Sequence, residues 1–364
     1  MQTEGFVLVD IGAATQAFAL APIELSTLKA DEVLIESEAF GLNYADVMAR
    51  LGLYREAPPR PCVLGYELVG RVTEVGAAVD PPRPCVLGYE LVGRVTEVGA
   101  AVDAQLIGQR VLAFTRFGAY ARHAKTTANA IVSIGDMPAH EALPFATQGV
   151  TAHYMAEVLS PIQAHDQVLV HAAAGGVGSF LVQLAKRKGA TVFAKVGSDT
   201  KKAYLESLGV DLIVNYKKEA YFQTIKTHLG AQKLSASFNA VGGKTAKQDL
   251  KLLGPGGRLF LFGGADLATR KGLFGKLSFL WEMGLVLPIG LMMQSKNILG
   301  VNMLKIADAN PSVIQKSMEE MLRLYKDGAI QLPPITVYPM SDFTKAHEAL
   351  GSGLTSGKIV VSWN

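Results

Sequence analysis

The sequence predicts an α/β protein of two domains, a small and mostly β domain followed by a doubly wound parallel sheet. Three observations carry this. At 364 residues, 49% of them hydrophobic, the chain can bury two moderate cores. Thirty-seven glycines beside only 18% charged residues suit tight turns and buried strands, and fit neither a coiled coil nor a low-complexity linker. From Gln167 onward, apolar strand-like runs alternate with helical stretches, which is the signature of parallel strands joined by crossover helices.

In the first part of the chain, β-like runs at 6–10, 32–40 and 110–114 are separated by Gly and Pro. The second part reads strand 168–172 (VLVHA), helix 179–188, strand 191–196 (TVFAKV), helix 201–208, strand 212–216 (LIVNY), and strands at 236–239 and 258–262. A helical period over 312–327 ends at Gly328, and the chain closes with a strand at 335–338, a helix at 342–350 and a strand at 358–362. This closing part resembles the front of the chain. The expected domains are therefore 1–149 with 303–364, and 150–302.

Residues 58–80, PPRPCVLGYELVGRVTEVGAAVD, recur unchanged at 81–103. Two copies are too few for a solenoid, and natural structural repeats drift apart. A recent genetic duplication, an alternative transcript, a gene-model error or engineering explains the repeat better. Each copy carries the same strand-like run, at 68–75 and 91–98, while a one-copy fold has one place for it; the other copy must loop out, add to an edge or swap. The first copy keeps the upstream junction and the second keeps the downstream one.

The net charge of +3 is too small to imply nucleic acid. The two cysteines, Cys62 and Cys85, are one position repeated, which excludes a disulfide scaffold and cysteine-rich zinc sites. Glu4 and Asp10 interrupt the N-terminal apolar residues, so no secretory signal is read there and a cytoplasmic location is expected. Residues 274–293 are mostly apolar, but Lys276, Glu282 and Pro288 break them well short of the roughly 20 apolar residues of a spanning helix. A cavity wall, a contact between protomers and a peripheral membrane patch stay open for this segment.

The strongest motif is Ala173-Ala174-Gly175-Gly176-Val177-Gly178, between the strand VLVHA and a helix. It is a variant of the dinucleotide-binding G-x-G-x-x-G: small residues allow the tight turn, the approach of a pyrophosphate and close helix packing, and amides at the helix start bind the anion. Where an NAD site places an acid after the second strand, this chain reads Lys195, Val196, Gly197 and Ser198. With Lys201, Lys202 and Tyr216 nearby, the expected cofactor is NADPH.

The stretches GLNYADVMARLGLY, PCVLGYELVGRVTEVG, HAAAGGVGSFLVQLAK, VNY and SGKIVV resemble the medium-chain dehydrogenase/reductase superfamily. Within it they resemble the zinc-independent quinone oxidoreductase group that includes zeta-crystallin and vesicle amine transport protein homologues. The resemblance implies a GroES-like β domain joined to a Rossmann domain, and a homodimer paired through the latter. At the positions of the superfamily's catalytic zinc ligands this chain has Asn43, Tyr66 (Tyr89 in the other copy) and Thr147. Amide and hydroxyl groups do not replace thiolate and imidazole, so no metal is expected.

By the same resemblance, Asn43 and Tyr54 lie beside the nicotinamide and stabilise the reduced oxygen, with Tyr54 as the acid candidate. Thr151 orients the ring, and Phe262, Gly263, Gly264, Val301, Asn302 and Lys358 are further cofactor contacts. The expected activity is NADPH-dependent hydride transfer to a small quinone or enone. The alternatives are an NADPH-binding structural or vesicle-associated protein, and a variant inactivated by its duplication.

Overall fold

The computed structural model describes residues 1–57, 88–270 and 272–363. They form two compact units, Met1–Thr147 with Ile335–Ser352 and Ile359–Asn364, and Gln148–Pro334 with Gly353–Lys358. The expected assignment of 303–364 to the first domain is thus corrected: residues 303–334 and Gly353–Lys358 belong to the second. The reason is packing. The helix Ser312–Lys326 buries Ile314, Met318, Met321 and Leu322, and its Ser317 Oγ lies 3.0 Å from Nδ1 of the buried His153. Gln331 donates its N–H to Gln183 Oε1 at 2.7 Å and accepts from Gln183 Nε2 at 3.1 Å.

In the first unit, β1 (Gln2–Leu8) and β2 (Phe18–Glu24) pair as an antiparallel ribbon. β3 (Glu32–Leu42), β4 (Glu90–Val98), β5 (Arg110–Phe114), β6 (His123–Thr127) and β7 (Ile131–Ser133) follow. β4 sits between β3 and β5, with Leu91 opposite Phe40 and Val95 opposite Ile35. Its Gly93 is required there, because any Cβ would strike the Glu36 carbonyl on the neighbouring strand. The place for the repeated strand is therefore filled from the second copy. The first copy, 58–80, with its run at 68–75, Cys62 and Tyr66, lies outside the described residues, as does Cys85.

The second unit holds β8 (Gln167–His171), β9 (Thr191–Val196), β10 (Leu212–Asn215), β11 (Leu234–Asn239), β12 (Leu253–Leu261) and β13 (Asn297–Gly300). All are parallel, in the order β10-β9-β8-β11-β12-β13. This is the expected doubly wound sheet. The order reverses between β8 and β11, and the crevice beyond the carboxyl ends of the strands there is where such sheets bind ligands. Continuous apolar runs such as Val168-Leu169-Val170 arise because both faces are covered. β14 (Ile335–Pro339) and β15 (Lys358–Ser362) return to the first unit's sheet, in the order β14-β15-β3-β4-β5-β7 with β6 on β3. Its core gathers Phe6, Phe40, Tyr120, Phe343 and Trp363, with the Phe6 and Phe343 rings stacked at 3.9 Å.

The apolar segment forms two helices, Gly272–Met283 and Pro288–Gln294. Gly284, at φ +81°, and Pro288 at the start of the second helix divide them.

Candidate active site

The glycine motif lies where the sequence puts it, at the end of β8 and the start of the helix Gly176–Arg187. The turn is tight: Gly175 donates to the Ala172 carbonyl at 2.8 Å, and Ala172 itself takes a left-handed φ of +49°. A Cβ on Gly178 would run into the Ala172 carbonyl and come within 2.7 Å of Ala173 Cα, so only glycine lets the helix approach the strand. At Gly176 a Cβ would meet the Gln148 amide. The cradle is closed from the far end of the chain, since Gly357 donates to Ala174 at 2.8 Å and bridges Gly175. Lys358, fully buried in the same unit, follows directly. First-turn amides at such a helix end suit a pyrophosphate, so the residues present fit a dinucleotide.

Beyond β9 a hollow of about 270 Å³ is lined by Gly197, Ser198, Asp199, Thr200, Asn215, Lys217 and Lys218. Gly197 lies close under Tyr216, whose hydroxyl is 3.0 Å from the Gly197 Cβ position. Ser198 Oγ accepts from Thr200 N at 3.2 Å and so caps the next turn. The hollow contains a carboxylate that sequence reading did not single out. Asp199 is bound by Lys218 at 2.5 Å, Asn215 at 2.9 Å and Lys202 at 3.2 Å, which hold its carboxyl well below the usual range. Of the two lysines expected at a 2′-phosphate, Lys202 is thus engaged by Asp199, and Lys201 donates to the carbonyls of Gly353 and Thr355 at 3.2 and 2.8 Å. Lys217 and Lys218, next to Tyr216, complete the lysine wall.

Lys195 is buried. Its ammonium lies 4.0 and 5.0 Å from the ring centroids of Tyr221 and Tyr216, and 3.4 Å from His171 Nδ1. Burial pushes it down to about 8, against the pull of Asp249. Asp249 joins His171 at 2.8 Å, Tyr221 at 3.0 Å, Ser237 at 2.9 Å and Asn239 at 2.6 Å, tying the helix Lys244–Leu252 to β8 and β11.

Of the other expected contacts in this unit, Gly263 follows β12 with its Cβ position 2.6 Å from the Ala240 carbonyl. Phe262 and Gly264 flank it, half-buried. Val301 donates to Leu261 at 2.9 Å, and Asn302 Oδ1 caps the helix Met303–Ala309 through Leu304 and Lys305. Thr151 is buried in the helix Thr147–His153.

In the first unit, Asn43 and Thr147, two of the positions that resemblance aligns with the superfamily's zinc ligands, meet at a residue not picked out in the sequence, Glu90, which follows the third, Tyr89. Its carboxylate, fully buried, accepts from Asn43 Nδ2 on both oxygens, at 2.8 and 2.7 Å, and from the Thr147 hydroxyl. Asn43 also starts the helix Tyr44–Arg50, its N–H donating to Asp46 Oδ2 at 2.9 Å. The amide expected to polarise a substrate oxygen is thus already held by Glu90. Tyr54 packs edge-on to Tyr89 with ring centroids 6.4 Å apart. Burial pushes its phenol up to about 12. Among the described residues, no three His, Cys, Asp or Glu side chains converge as a metal site.

Residues 176–326 match the zinc-binding dehydrogenase family model and residues 29–83 the alcohol dehydrogenase GroES-like domain. The second match runs through the first copy of the repeat, whereas β4 is built from the second. The chain is 29% identical over 336 residues to a phenolphthiocerol/phthiocerol polyketide synthase component of Mycobacterium tuberculosis, covering 91% of this chain and 14% of that protein. The chain therefore spans a small part of that relative's length. Among solved structures it is similar to the CurK enoyl reductase, at 25% identity and TM-score 0.78, over 100% of this chain and 99% of that one. It is also similar to the Escherichia coli quinone oxidoreductase complexed with NADPH, at 24% identity and TM-score 0.77, over the whole of both chains. A GroES-like β domain joined to a doubly wound dinucleotide-binding domain defines an oxidoreductase fold. The chain has the medium-chain dehydrogenase/reductase fold, and both family-model matches support that superfamily.

Proposed function

We propose that this chain is an NADPH-dependent reductase that delivers hydride, without a metal, to an electron-poor acceptor: a quinone or an α,β-unsaturated carbonyl compound. The observation that carries this is the lysine-lined hollow beside the glycine cradle, where the one carboxylate, Asp199, is neutralised by its own protein partners. A free acid there favours a ribose 2′-hydroxyl, whereas a lysine wall favours a 2′-phosphate.

NADPH supplies the hydride when bound. Gly175, Gly176, Val177 and Gly178 hold the pyrophosphate, and Gly197, Ser198, Lys217 and Lys218 surround the 2′-phosphate, with Lys201 and Lys202 bracing the wall. Thr151, Phe262, Gly263, Gly264, Val301, Asn302 and Lys358 keep their assignment by family resemblance. In the first unit Tyr54 is the donor to the acceptor oxygen. A phenol at about 12 stays protonated at neutral pH, so it can hydrogen-bond an oxygen that gains negative charge. Asn43, held by Glu90, acts as a positioning residue. Amide, phenol and hydroxyl groups at the zinc positions support metal-free chemistry, which favours activated acceptors over simple alcohols.

The likeness to an enoyl reductase and to part of a polyketide synthase favours an α,β-unsaturated thioester as one form of the acceptor. Fluorescence titration with NADPH and NADH, followed by cofactor oxidation with 1,2-naphthoquinone and with crotonyl-pantetheine, tests the reading. Selective NADPH binding with turnover of either acceptor is expected, and binding without turnover of both overturns the reductase assignment. Tyr54→Phe is expected to lower kcat roughly a hundredfold with NADPH affinity unchanged. The resemblance also supports a homodimer, which sedimentation equilibrium checks.

A further inference from the structure

Tyr54, the proposed donor to the acceptor oxygen, has a second phenol behind it. The Tyr89 ring stands edge-on to the Tyr54 ring, at 86°. Tyr54 is half-buried, whereas Tyr89 is only 3% exposed. The surrounding chain fixes Tyr89 in place. Gly88, just before it, takes a φ of +107°, and the Tyr89 carbonyl accepts from Thr115 N at 2.6 Å. Phe117 packs against the Tyr89 ring with centroids 5.0 Å apart, and does so at a φ of +138°. A residue with a bulky side chain holds such a φ only where its surroundings enforce it, and strain of that kind gathers at functional sites.

The Tyr89 hydroxyl is the odd group in this packing. It is sealed from solvent, and among the described residues no acceptor meets it in full hydrogen-bond geometry. A buried hydroxyl left so costs stability, and phenylalanine would fill the same space without that cost. Tyr54 lies close enough that each phenol shifts the other's acidity. The charged groups around the pair are Asp46, Glu56, Glu90 and Arg116, and the Tyr120 phenol faces Tyr89 as well. Burial first, and then Asp46, hold Tyr89 well above the ordinary phenol range. At Tyr54 burial raises the phenol too, but Tyr89 and Arg116 work against the rise. Tyr89 is therefore the phenol that keeps its proton, and Tyr54 the one that gives its proton away.

We propose that Tyr89 is a positioning residue for Tyr54, its O–H donating to the Tyr54 oxygen as that oxygen gains negative charge. This rests on the reductase reading and adds a residue to it. The acceptor oxygen, charged once hydride has arrived, takes the Tyr54 proton as the Tyr54 O–H bond breaks. Tyr89 keeps its own proton and meets the new phenolate with a hydrogen bond. Water on the half-exposed side then returns a proton to Tyr54. Hydrogen bonds of this kind are commonly long before substrate arrives and tighten as charge develops. Donors in series also strengthen one another.

A double-mutant cycle in the full chain tests this, with Tyr89→Phe made together with Tyr66→Phe so that the other copy cannot restore the phenol. With Tyr54 present, the change is expected to lower kcat roughly tenfold while Tm stays level or rises, since the only hydrogen bond lost is the one to Tyr54. In a Tyr54→Phe background it is expected to cost less than about twofold. Equal losses in both backgrounds make the role structural and overturn the proposal, as does an unchanged kcat. If Tyr54→Phe alone leaves kcat unchanged, the donor assignment falls with it, so the two failures are told apart. A second measurement needs no turnover. With 3-fluorotyrosine incorporated, the fluorine signal of residue 54, identified by its loss in Tyr54→Phe, is followed against pH. Removing the Tyr89 hydroxyl is expected to raise its titration midpoint by about one pH unit, and an unmoved midpoint overturns the proposal.

Discussion

The two units build their candidate sites by different means. In the second unit the cradle is a shape of the backbone, set by contiguous small residues, and a Cβ at Gly178 has nowhere to go. In the first unit the cluster is made of side chains: Glu90 is met by Asn43 and Thr147, 47 and 57 residues away in the chain. A site written in the backbone has a local spelling, whereas one written in side chains depends on which strands become neighbours.

This contrast can be broken by substitution. Gly178→Ala is expected to have the largest effect, because the added carbon meets main chain rather than a movable side-chain end. NADPH affinity should fall about a hundredfold or more, with a lower Tm, as read by fluorescence titration and thermal melting. An unchanged affinity would mean that the cradle can relax.

A second test separates the stabilities of the units. His347, in the first unit, is fully buried among Phe18, Tyr120 and Phe343 with Arg50 nearby, and burial, aided by Arg50, lowers it from 6.5 to about 3. The unfolded chain binds this proton more readily. The contribution is therefore intact above about pH 6.5 and lost as the pH falls toward 3, at roughly 1.4 kcal/mol per pH unit, or about 2 kcal/mol by pH 5. His347→Phe should flatten that slope in urea melts. His171, buried in the second unit and joined to Asp249, is also lowered by burial, so the loss of slope in His347→Phe isolates the first unit's share.

The smallest effect is expected at the hollow. Lys217→Glu/Lys218→Glu should reduce the preference for NADPH over NADH roughly tenfold while leaving NADH affinity close to its starting value. Loss of both affinities together would point to collapse of the hollow once Asp199 loses Lys218.

Much of this architecture was legible. The alternation after Gln167 announced the parallel sheet, and the glycine motif fell between β8 and its helix. Asp199 was legible in part: it lies about where an acid is sought after the second strand, but its neutralisation depends on Lys218 and Asn215 at the end of β10, which only the sheet brings alongside. Glu90 left a fainter signal, a charged residue inside the apolar run CVLGYELVG, and its partners come from other elements. The boundary near residue 303 was hidden because the helix Ser312–Lys326 has the same amphipathic pattern whichever unit it covers; the contact of Ser317 with His153 decides it.

β4 is drawn from the second of two identical copies, and removing either copy leaves the same polypeptide. A missense change confined to 91–98 therefore leaves an unaltered duplicate of the strand, at 68–75, in the same chain. Taking the duplicate would give up the turn after β4, where Asp103 caps Gln105 and Gly108 donates to Val95, but the pairing residues against Phe40 and Ile35 would be the same. The repeat would thus give the chain a spare sequence for one strand.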